Sequence, residues 1–106
     1  MIEGYENLSA ISAEELARRA QAGSSACFDA LVQRFARRVW RYLRGRGLSD
    51  HDADDVAQET FIKAFRYLNR YDAKQRFAPW LFTIATRGAV SFYRSRKSAV
   101  DVDSFF

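Results

Sequence analysis

Phe28, Leu31, Val32, Phe35, Val39 and Leu43 recur at steps of three and four residues, the spacing that lines apolar groups along one face of an α-helix. Strand-like alternation is sparse elsewhere, there is no internal repeat or low-complexity tract, and Pro79 is the only proline. The chain's 106 residues suit one domain with a small core. Its 48% apolar and 15% aromatic content is too high for a disordered segment.

Punctuation residues divide the chain into helices. Ser12-Ala13-Glu14-Glu15 has the form of a capping box, with the Ser hydroxyl capping one amide and Glu15 returning a bond. It opens a helix from Ala13 to Ala22, which Gly23 stops by supplying a left-handed residue. Ser24 or Ser25 caps a longer helix that runs to about Arg44 and ends at Gly45 and Gly47. Ser49 or Asp50 starts a third, with Val56, Phe61, Phe65 and Leu68 as its inner face, before a polar loop from Asn69 to Arg76. Pro79 suits the first turn of a fourth helix, where a missing amide proton costs nothing. That helix runs to about Arg96, with Trp80, Leu81, Ile84, Ala85, Gly88 and Phe92 as packing positions. Gly88 inside it costs about 1 kcal/mol relative to alanine, which predicts close helix contact or frayed geometry there. The expected fold is all-α, a compact bundle of about four helices, with 98–106 as a tail or the start of a linker.

Charge is unevenly distributed. The formal net charge is +4, which favours a polyanionic partner. Arg34, Arg37, Arg38, Arg41, Arg44 and Arg46 form one basic run, and Arg87, Arg94, Arg96 and Lys97 another. Between them lie Asp50, Asp52, Asp54, Asp55 and Glu59. Aspartates in a helix's first turn favour the positive end of its dipole, but these acids exceed what capping needs. Asp55, Gln58 and Glu59 at i, i+3 and i+4 share one patch, which can receive arginine forks from a partner.

Catalysis would need a cleft and complementary groups. His51 is the only histidine, and Cys27 the only cysteine. No Cys/His spacing suggests zinc and no glycine-rich phosphate loop appears, so no enzyme activity, metal or cofactor is expected. A lone cysteine excludes an internal disulfide, suits a reducing compartment, and reads as a small buried hydrophobe. No window reaches the ~18 apolar residues of a membrane span, and the N-terminus lacks a signal-peptide layout. A soluble, cytoplasmic protein is expected.

The run from Arg76 to Arg96 combines rings, hydroxyls and guanidinium groups, the means by which proteins stack exposed bases and track phosphates. Together with Asp55-Val56-Ala57-Gln58-Glu59-Thr60-Phe61-Ile62-Lys63-Ala64-Phe65, it resembles region 2 of bacterial sigma-70 family sigma factors of the extracytoplasmic-function (ECF) group. The resemblance covers roughly 26–97, within an expected domain of 1–97. In that family the acidic helix docks on the clamp helices of the RNA polymerase β′ subunit. Carried over by position, the resemblance assigns that contact to Asp55, Gln58 and Glu59, with Asp54, Phe61 and Phe65.

Phe77, Trp80, Leu81, Ile84 and Ala85 match the family's Phe-x-x-Trp-Leu-x-x-Ile-Ala form. The resemblance implies that the loop from Asp72 to Phe77 receives a base flipped from the non-template strand of the promoter −10 element. Arg76, Phe77, Thr86, Arg87, Val90, Ser91 and Arg94 would then face DNA, repaying part of the cost of unstacking. Thr86-Arg87 replaces the usual Arg-Asn, Ser91 stands where Asp is usual, and the tryptophan pair of housekeeping members is absent near Thr83 and Ile84. An anti-sigma factor is a further partner implied by the resemblance. The family's second domain, region 4, is not found before Phe106. Two other readings stay open: a helical protein-interaction module, and a general duplex DNA-binding domain.

Overall fold

A computed structural model describes the backbone over residues 7–104 and the side chains over 7–96. Among the described residues there are four α-helices and no strand: α1 (Ala13–Gln21), α2 (Ser25–Gly45), α3 (Asp50–Arg66) and α4 (Phe77–Ser104). Short 3-10 turns occupy Leu8–Ala10 and Leu68–Arg70. The first six residues and the last two, part of the expected tail, lie outside the described backbone. α4 continues to Ser104, eight residues past the expected end at Arg96.

Serine starts three of the helices. Ser12, Ser24 and Ser49 accept from the amides of Glu15, Cys27 and Asp52 at 3.1, 3.2 and 3.1 Å, each bond stabilising its helix by about 1 kcal/mol. The reciprocal half of the capping box is not made. Arg18 and Arg19 instead donate to the Glu15 carboxylate at 2.8 and 2.9 Å, and their bonds hold its pKa at about 2.

α4 has a cap that no local pattern encodes. Its first amide, of Phe77, donates to Glu14 Oε2 of α1 at 2.8 Å. Gln21 Nε2, also from α1, donates to the Leu68 and Tyr71 carbonyls at 2.9 and 2.6 Å. α1 therefore ties down both ends of the α3–α4 connection. The expected polar loop is accordingly part core, with Tyr71 buried.

Leu16, Leu31, Val39, Leu43, Leu48, Phe77 and Leu81 form the large side chains of the core. Cys27 is buried among apolar groups, as expected, whereas Phe28 and Val32 are only half-buried. The inner face expected of α3 holds at Val56 and Leu68, both buried, and differs at its two phenylalanines. Ala53, Val56, Ala57, Thr60 and Ala64 are its buried residues, while Phe65 is 63% exposed and Phe61 half-buried. The reason is proximity to α4: a Cβ added at Gly88 would lie 3.2 Å from Val56 Cγ1 and 3.8 Å from Thr60 Oγ1. At that separation only small side chains fit between the helices, while Phe61 and Phe65 lie on the side of α3 that faces α2. Thr60 satisfies its buried hydroxyl by donating to the Val56 carbonyl at 2.7 Å.

The α2–α3 turn needs Gly47, at φ +99°. A Cβ there would meet the Tyr93 hydroxyl at 2.9 Å, whereas one at Gly23, φ +114°, meets nothing within 4 Å. Gly47→Ala is expected to cost at least the ~1–2 kcal/mol of a left-handed non-glycine residue, and more than Gly23→Ala. Urea midpoints compare them, and equal losses would show that the Tyr93 contact is immaterial.

Candidate functional site

α2 divides the surface, with different chemistry on its two flanks. On one flank Val32, Ala36, Arg37 and Trp40 face Asp54, Ala57, Gln58, Phe61 and Ile62 of α3 across a hollow of about 620 Å³. Asp54, Asp55, Gln58 and Glu59 are all exposed at or beside it. Asp55 lies 3.4 Å from His51 Nε2, one turn back. Phe65 leans edge-on against Phe28, with ring centroids 5.1 Å apart.

The acid–amide patch thus borders uncovered apolar surface, with Ile62 51% exposed and Phe65 63% exposed. Clustered apolar exposure of this kind marks a contact site. Ile62 was missed at the sequence level although it lies one turn beyond Gln58. The α2 wall of the hollow, including Trp40, was missed because nothing local pairs it with α3.

The second set of residues lies on α4 and the loop before it. Arg76, Arg87, Val90, Ser91 and Arg94 are exposed. Arg87, Val90, Ser91 and Arg94, at i, i+3, i+4 and i+7, form one stripe. Pro79, Phe82, Thr83, Thr86 and Arg87 line a hollow of about 330 Å³ at its upstream end. Asp72, Lys74, Gln75 and Arg76 are exposed. Asp72 shapes the loop, its Oδ1 accepting from the Lys74 amide at 2.9 Å.

Two residues depart from the DNA-facing role implied by the resemblance. Phe77 is 1% exposed, its ring packed among Phe35, Tyr71 and Trp80 at centroid distances of 5.6, 5.3 and 5.6 Å. Its side chain is core, and it can serve the loop only by anchoring it. Thr86 is half-buried and its hydroxyl is engaged within the fold. Its single proton goes to the Phe82 carbonyl at 2.8 Å, so Tyr42 Oη, 2.6 Å away, is the donor to Thr86 Oγ1.

Among the described residues no group of His, Cys, Asp and Glu could hold a metal ion, and no helix is long and apolar enough to cross a membrane.

The sigma-70 region 2 family model matches residues 31–99. The RNA polymerase sigma factor NccH of Alcaligenes xylosoxydans xylosoxydans is 44% identical over 71 residues, 67% of this chain and 38% of that protein. The ECF RNA polymerase sigma factor SigM of Bacillus subtilis is 31% identical over 74 residues, 70% of this chain and 45% of that one. The chain thus spans less than half the length of these curated relatives. An NMR structure of an engineered region 2 of sigmaE in complex with GTAAAA superposes with a TM-score of 0.76 at 33% identity, covering 83% of this chain and 92% of that one. With that family model spanning most of the bundle and ECF factors among its relatives, the chain belongs to the sigma-70 family, as a region 2 domain of the ECF group.

Proposed function

We propose that this domain works in transcription initiation, joining core RNA polymerase to the promoter −10 element. The observation that carries the reading is the pairing of two unlike surfaces on opposite flanks of α2. One is the acid–amide patch beside an open apolar hollow, and the other is the exposed α4 stripe with its cations. Asp54, Asp55, Gln58 and Glu59 accept arginine forks from the β′ clamp helices, and Phe61, Ile62 and Phe65 supply apolar contact. Arg76, Arg87, Val90, Ser91 and Arg94 hold the non-template strand, with the loop from Asp72 to Phe77, anchored by the buried Phe77 ring, receiving a flipped base. The GTAAAA bound by the engineered sigmaE region 2 supports a single-stranded ligand.

On this reading the domain uses no catalytic group, since promoter opening is driven by binding energy for the unpaired strand. It acts where the polymerase is, in the cytoplasm. Its domain is residues 1–97, with 98–106, into which α4 continues as far as Ser104, a tail or linker start. An anti-sigma factor would inhibit it by covering the same two surfaces.

A pull-down with core polymerase, with and without a fork-junction promoter fragment, tests the reading. Retention by core polymerase that strengthens with the fork junction, and not with closed duplex, is expected. Equal retention with every DNA would leave only a protein-interaction module, and preference for closed duplex would favour a general DNA-binding domain.

A further inference from the structure

The flank of α2 that faces α4 carries guanidinium groups held in place without counter-charges. Arg38 Cζ lies 5.0 Å from the Phe35 ring centroid and 5.6 Å from that of Phe82. Phe82 also lines the α4 hollow with Thr83, Thr86 and Arg87, so Arg38 stacks against one of the rings that form it. Arg46 Cζ lies 5.7 Å from the Tyr42 ring centroid, and its Nη1 donates to Tyr42 Oη at 3.3 Å. Tyr42 passes the bond on to Thr86. The Arg46 carbonyl accepts from Tyr93 of α4 at 2.8 Å, which fixes its backbone against that helix.

Four arginines of the fold are paired with acids: Arg18 and Arg19 with Glu15, Arg44 with Asp50, and Arg96 with Asp52. Among the described residues, none of these ion pairs includes Arg38, Arg46 or Arg87. Ordering a long side chain against a ring costs rotamer entropy, and gathering cations on one seam costs repulsion. Both costs are offset when a polyanion supplies the missing charge, and arginine's fork suits phosphate oxygens. Arg38 and Arg46 are eight residues apart, about 12 Å along a helix axis, far enough to meet two different phosphates of one strand.

We propose that the α2–α4 seam, with Arg38 and Arg46 either side of Tyr42, is a second phosphate-binding track for the DNA strand held on α4. This rests on the reading of α4 as the DNA surface. The track carries no base preference, because it meets only backbone.

The test uses the whole chain and a short fluorescent single strand containing GTAAAA, followed by anisotropy across a salt series. Each single-strand phosphate contact contributes about 0.7 to the slope of log K against log salt. Arg38→Gln/Arg46→Gln is expected to lower the slope by about 1.4, equally on a scrambled strand, with circular dichroism unchanged. Arg38→Lys/Arg46→Lys, which restores the charge, is expected to recover most of the slope. A wild-type slope in the double Gln variant, with Arg94→Ala still lowering it, overturns the second track and leaves the α4 reading standing. A Lys variant as weak as the Gln variant also overturns it, by showing that ring packing and not charge was lost. No binding of either strand by the wild-type chain overturns the α4 reading and the track together.

Discussion

Replacing Phe77 with alanine is expected to destabilise the domain by about 3–5 kcal/mol, the usual cost of emptying a buried aromatic site. A domain of this size has only about 5–15 kcal/mol in total, so much of the population should unfold at moderate urea. The ring is 1% exposed and contacts Phe35 of α2, Tyr71 of the connector and Trp80 of its own helix. Its loss opens a hole where three elements meet. Phe77→Leu keeps most of the apolar volume and should cost distinctly less while retaining DNA binding. Urea titrations give the stabilities, and strand binding in buffer gives the function. A Phe77→Ala variant as stable as the parent but unable to bind DNA would mean that the ring reaches the nucleic acid, contrary to its burial.

The largest expected functional effect lies on the opposite flank. Asp55→Ala/Gln58→Ala/Glu59→Ala should weaken core polymerase binding by about a hundredfold or more, since each charge-assisted bond lost at an interface is worth about tenfold or more. The three side chains are exposed, and Asp55 reaches only the exposed His51. Removing them should therefore leave the urea midpoint near its parent value. That separation is the decisive feature, because a helix-capping role would move stability and spare the polymerase. Biolayer measurements on immobilised core polymerase, run beside the urea titration, read both quantities. Unchanged affinity in the triple variant would refute the assignment of this patch to the polymerase.

Stability and function separate here because different ranges of interaction control them. Ser12, Ser24 and Ser49 announced three helix starts, and Gly23 a stop, since caps act within three or four residues. The same short range made the outward position of Asp55, Gln58 and Glu59 legible, for charged and amide groups spaced along one helix face stay in water. On α3 the apolar pattern points Val56 and Leu68 inward correctly, but not Phe61 and Phe65. Periodicity says which residues share a face, but not how near the neighbouring helix comes.

The sequence by itself determined the helices, the segregation of acid from base, and the family pattern that both create. The tertiary structure alone decided what meets across long gaps: Glu14 with the Phe77 amide, Gln21 with the connector carbonyls, Tyr42 with Thr86, and Gly88 with Val56. Those pairs bury Phe77, leave room only for small side chains between α3 and α4, and set Arg38 and Arg46 beside α4. The physical reason is that a cap or a charged face is satisfied by groups within one helical turn. A shared core is satisfied only by partners that chain entropy keeps apart until the helices dock.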